Sequence, residues 1–97
     1  PESAPIKVDR KEKRKAAAEA RERTKPLRKA IAEAEVDMKQ LTVKRDAVDA
    51  KLIDAPPAAA SDLMKQSGQL SRAREDAEAR CLEASEAVEA AMAWVDA

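Results

Sequence analysis

Between positions 27 and 52, eight side chains recur at alternating intervals of four and three residues: Leu27, Ile31, Ala34, Met38, Leu41, Arg45, Val48 and Leu52. Only an α-helix gathers such positions onto one stripe, and a repeat averaging about 3.5 residues is the signature of a coiled-coil seam. A second stripe of the same kind runs through Leu63, Ser67, Leu70, Arg74, Ala77, Cys81, Ala84, Val88, Ala91 and Val95. Between the two lies Ala55-Pro56-Pro57, and two prolines in succession stop a helix. If the chain reverses there, the stripes face each other in ten layers whose residue numbers all sum to 115, from Leu52 with Leu63 to Ala20 with Val95. Half of 115 falls at Pro57, so one register satisfies both helices and the turn.

The expected fold is therefore all-α, a two-helix antiparallel coiled-coil hairpin with helix one over about 9–54, a turn over 55–61 and helix two over about 62–97. Ser61 is the expected N-cap of the second helix, with Asp62 in its first turn. The 36 residues of that helix make an arm ~54 Å long at ~1.5 Å per residue. Pro26 falls inside the first helical pattern, where it cannot donate to the Glu22 carbonyl, and a break or bulge is expected there. Two features weaken the seam. Arg45 and Arg74 can cover it only with their stems while their charges reach water, and Ala34 with Cys81 leaves a thin layer. Residues 1–8, which include Pro1 and Pro5, have the composition of an interdomain linker, and a chain that begins at Pro1 reads as a segment of a longer protein.

Composition removes most alternatives. With 39% charged residues, a single glycine and no Phe or Tyr, the chain has neither the aromatic and β-branched stock of a sheet nor the apolar bulk of a thick core. There is no histidine, and one cysteine cannot form an intrachain disulfide or a thiolate zinc cluster, so this segment is not expected to be an enzyme or to hold a cofactor or metal. Cys81 suits a reducing cytoplasm and fits a small core position better than a reactive thiol. The longest apolar runs fall well short of the ~20 residues that would span a bilayer. A cytoplasmic monomer with no membrane contact is expected, with helix pairing between two chains as the less economical alternative.

Charge is zero overall but unevenly placed. Residues 1–30 carry eleven Lys or Arg against five acids, residues 31–60 four against six, and residues 61–97 four against eight. Internal complementarity between the two arms of the hairpin is one explanation. Position argues against it, because Glu75, Asp76, Glu83, Glu86, Glu89 and Asp96 fall on outward faces of helix two and only Glu78 flanks the seam. On helix one, Arg14, Arg21 and Arg28 recur every seven residues, and none has an acid three or four positions away, whereas Glu19 lies four from both Lys15 and Arg23. With Arg10, Lys11, Lys13, Lys25 and Lys29 nearby, the row is a candidate phosphate contact, set against the simpler reading of a solvated basic face. Without aromatics to stack on bases, or Asn to read their edges, such binding would be sequence-tolerant and salt-sensitive. A membrane-surface role would need a bulky apolar face, which Ala16, Ala17, Ala18 and Ala20 do not supply. Trp94 is expected to clamp the open end near the level of Arg21.

The string Arg10-Lys11-Glu12-Lys13-Arg14-Lys15-Ala16-Ala17-Ala18-Glu19-Ala20-Arg21, then Thr24-Lys25-Pro26-Leu27-Arg28-Lys29 and the stretch from Ile31 to Glu35, resembles the C-terminal arm of ABC-F ATPases, especially the YheS-like and Uup-like bacterial proteins. The later run Glu78-Ala79-Arg80-Cys81-Leu82-Glu83-Ala84-Ser85-Glu86-Ala87-Val88-Glu89 is similar to that family's closing helix. The likeness covers nearly the whole chain. It departs at Cys81, where the family usually has Trp, and at Ala34, where Leu is common. The resemblance implies a parent with two ATP-hydrolysing cassettes that use ATP and Mg, no transmembrane domain, and action on ribosomes or nucleic acid, the Uup-like arm being associated with DNA. No Gly-Lys-Ser/Thr motif occurs in this chain, so ATP chemistry would belong to the parent. The nucleic-acid role would fall to Arg14, Arg21, Lys25, Arg28 and Lys29, with Arg10 and Lys11 beside them.

Overall fold

A computed structural model describes residues 10–96, without the side chains of Trp94 and Asp96. It consists of two helices, α1 (Arg10–Leu52) and α2 (Pro57–Asp96), packed side by side as a hairpin. At ~1.5 Å per residue, the 43 residues of α1 and the 40 of α2 make rods of about 64 and 60 Å. The linker expected over residues 1–8 and the clamp expected of Trp94 lie outside the described residues and side chains.

Every member of both stripes is buried or half-buried, including the continuation through Thr24 and Ala20 toward the open end. Among the described residues, the polar bonds Ser67–Asp49, Arg74–Thr42 and Arg80–Asp37 between the helices set the register. Ser67 Oγ donates to Asp49 Oδ1 at 2.6 Å, Arg74 Nε to Thr42 Oγ1 at 2.8 Å, and Arg80 Nη2 to Asp37 Oδ2 at 3.2 Å. Their residue numbers sum to 116, 116 and 117, one or two positions from the seam value of 115, as side chains flanking the seam should.

The fully covered side chains are all small: Ala20, Thr24 and Ala77 at 0% exposure, Ala34 at 2% and Ala84 at 7%. Leu27, Ile31, Met38, Leu41, Val88 and the other large members of the seam are only half-buried. Two helices alone can enclose nothing larger, because each seam side chain is covered on one side and open at the groove's edge. In the layer expected to be thin, Ala34 is buried and Cys81 half-buried. Buried Thr24 satisfies its own hydroxyl by donating to the Arg21 carbonyl at 3.1 Å.

Two expectations need correction. Helix two does not start at Ser61; it starts at Pro57, and Ser61 lies within it. The amides of Ala59 and Ala60 both donate to the Pro56 carbonyl, at 3.0 and 2.9 Å. A proline at the first helical position gives up an amide that would have no helical acceptor, and its fixed φ already suits the helix. The residue preceding a proline is pushed toward extended backbone, so Ala55 and Pro56 both stay out of the helix. The connection therefore shrinks to residues 53–56, tied by the Ala55 amide on the Leu52 carbonyl at 3.4 Å, with no positive φ among the described residues.

The second correction concerns Pro26. α1 is α-helical from Arg10 to Leu52 with Pro26 inside it, and the expected break or bulge does not appear. Pro26 and Glu22 are both exposed, so the Glu22 carbonyl that loses its helical donor lies at the wet surface. Seam burial continues on both sides, at Ala20 and Thr24 before the proline and at Leu27 and Ile31 after it. Packing along α2 keeps continuous what the local sequence would interrupt.

Candidate nucleic-acid interface

All seven expected contact residues, Arg10, Lys11, Arg14, Arg21, Lys25, Arg28 and Lys29, are exposed on the first six turns of α1. Continuity through Pro26 gives the row its geometry. Arg14, Arg21 and Arg28 occupy one heptad position at steps of ~10.5 Å, a span of about 21 Å on a single continuous helix. Lys25 fills the gap between Arg21 and Arg28, four residues after the first and three before the second, and Lys11 stands three before Arg14. Arg10 lies one turn before Arg14. Lys29 is the outlier, one row further round the helix and away from α2.

The same heptad position continues down α1 as Glu35, Thr42 and Asp49. Its far half is stitched to α2, through Thr42 to Arg74 and through Asp49 to Ser67. Carried up the hairpin, that register sets Arg28 beside Val88 and Arg21 beside Val95, which offer no acceptor. The stems can lie on these aliphatic side chains while the guanidiniums face outward. Neither Arg14, Arg21 nor Arg28 forms an ion pair with a described residue; Arg14 Nε donates to the Arg10 carbonyl at 3.4 Å. Lys25 is partly compensated by Glu22 at 3.6 Å, with both side chains about three-quarters exposed. The network expected around Glu19 does not form: its carboxylate pairs with neither Lys15 nor Arg23. At the exposed surface such i,i+4 pairs are worth only about 0.3–0.5 kcal/mol, too little to hold two flexible side chains together.

The arginines on the seam behave differently. Arg74 is held twice, by Thr42 across the hairpin and by Glu78 on its own helix at 3.2 Å, and Arg45 sits 3.5 Å from Asp46. Both are half-buried and already paired within the hairpin. On α2, Glu75, Asp76, Glu83, Glu86 and Glu89 are exposed and unpaired with described residues, so the hairpin has a basic edge on α1 and an acidic edge on α2.

Sequence reasoning missed two features of this surface. Lys13 joins Arg10 and Arg14 around an open groove of about 400 Å³ whose floor is Ala17 and Val95. The polar rungs Asp37–Arg80, Thr42–Arg74 and Asp49–Ser67 also went unforeseen, although the 115 rule places each pair within two residues of opposition. Among the described residues no group of three or more His, Cys, Asp or Glu side chains could hold a metal ion, and no helix is long and apolar enough to cross a membrane. No protein-family model matches the chain, and no curated protein or solved structure matches it significantly.

Proposed function

We propose that the hairpin is a non-catalytic nucleic-acid-binding arm, and that it is the C-terminal arm of an ABC-F-type ATPase acting on ribosomal RNA or duplex DNA. What carries the binding half of this reading is the row Arg14, Arg21 and Arg28, exposed on one uninterrupted helix and unmatched by any described carboxylate. The ATPase half rests on the resemblance of the basic run and closing helix alone. Each guanidinium can give two parallel N–H bonds to a phosphate, and the helical backbone that carries the row needs no ordering on contact, which leaves only the arginine side chains to be fixed. Because the described surface offers no aromatic platform, affinity would come from phosphate neutralisation and counterion release, with little dependence on base sequence. The acidic edge of α2 repels the same ligand, so a duplex can approach only from the α1 side.

A second reading, a spacer or protein-docking coiled coil, draws on the tip. Ile53, the first residue of the connection, and Met64, about two turns into α2, are 81% and 64% exposed. Apolar side chains displayed at the end of a stiff arm suit an apolar recess on a partner protein. Labelled duplex DNA and structured RNA titrated with the 97-residue chain separate the two. Binding abolished by Arg14/Arg21/Arg28→Glu and unaffected by Ile53→Ser/Met64→Ser supports the phosphate contact. No binding at low salt removes it and leaves the tip in front.

A further inference from the structure

Leu82 is 60% exposed on α2 and stands in the middle of the acidic edge. Glu78 and Glu86 lie one turn away on either side, Glu75 and Glu89 two turns away, and Glu83 next to it. Of these only Glu78 has a described partner, Arg74. At the open end of the hairpin, the groove over Ala17 and Val95 presents the inverse surface, an apolar floor rimmed by Arg10, Lys13 and Arg14. We infer that two copies of the hairpin associate by seating Leu82 of one in this cation-rimmed groove of the other.

Polarity and charge match together: the leucine meets the alanine and valine floor while the carboxylates around it meet the three cations. The occupant must come from another molecule. By the hairpin register Leu82 lies level with residue 33 of α1, about 16 to 23 residues from the groove's α1 lining, which is ~24–35 Å along a rigid rod. No bend within one copy brings them together, because α1 is continuous over that stretch. A contact of this size is weak, and its ionic rim is screened by salt, so the monomer expected from the self-contained seam is the dilute, high-salt state. The contact shares Arg14 with the proposed phosphate row, so bound nucleic acid would compete with it, but it does not depend on that row binding anything.

Sedimentation velocity on the nuclease-treated chain tests the inference across a concentration series at low and high salt. At low salt the weight-average mass should climb from the 10.5 kDa of one chain toward twice that value or beyond, and return to one chain at high salt. Leu82→Glu and Arg14→Glu, both at exposed positions and checked for helicity by circular dichroism, should each be monomeric alone. Mixed one to one they should form a dimer, since one retains the groove and the other the leucine. If Leu82→Glu loses helicity, Leu82→Gln takes its place. Monomers at every concentration in low salt, either variant associating as the parent does, or a mixture that stays monomeric would each overturn it. Leu82→Glu should leave nucleic-acid affinity within twofold, which keeps this result separate from the fate of the phosphate row.

Discussion

Replacing Ala34 with cysteine should give a protein that oxidises to an intrachain disulfide with Cys81, because the register places positions 34 and 81 in one layer of the seam. Ala34 is 2% exposed and Cys81 half-buried, so the new bond would lie inside the hairpin. The loop it closes contains 48 residues from 34 to 81. Chain-entropy arithmetic then gives about 4 kcal/mol of stabilisation at 25 °C as an upper figure, since strain in the bonded state subtracts from it. For a chain of this length that corresponds to a melting temperature raised by roughly 20 °C. The assay is oxidation under dilute conditions, followed by non-reducing electrophoresis and thermal melts with and without reductant. Ala32→Cys and Glu33→Cys are the controls, since both positions are exposed and turn away from the seam. The register is refuted if Ala34→Cys forms only intermolecular disulfides, or if a control closes the ring as fast.

Thr42→Val removes the hydroxyl that accepts from half-buried Arg74 and should cost about 0.5–1.5 kcal/mol by urea denaturation, whereas Arg80→Ala, which breaks an exposed pair with Asp37, should cost under about 1 kcal/mol. Pro26→Ala restores an amide donor in a continuous helix at an exposed position, and should raise stability by as much as about 3 kcal/mol in a thermal melt; a loss would mean the proline is required. Gly68→Ala should stabilise by about 0.8–1.0 kcal/mol, because a Cβ there meets only the end of the Arg72 side chain at 3.7 Å.

The hairpin and its register were legible because a single four-and-three alternation on each side of two prolines admits one solution, and burial at Ala20, Ala34, Ala77 and Ala84 follows it. What escaped were places where two local rules compete. Ser61 looks like a cap, but Pro57 already starts the helix and its carbonyl neighbour Pro56 collects the first amides. Pro26 looks like a stop, but seam packing on both sides outweighs one missing hydrogen bond. The arginine row was legible from its spacing alone, whereas the groove at Arg10, Lys13 and Arg14 needs Val95, which is more than 80 residues away and reaches it only through the fold.

The proposed function requires Arg14, Arg21 and Arg28 to contact phosphate. Fluorescence anisotropy of a labelled duplex, read over a series of salt concentrations for the parent and for an Arg14/Arg21/Arg28→Ala variant, measures that contact. Each phosphate contact contributes about 0.9 to the slope of log affinity against log salt on a B-form duplex, so the triple variant should lose about 2.7 from that slope as well as affinity. An unchanged slope, or no binding by the parent at low salt, would contradict the claim.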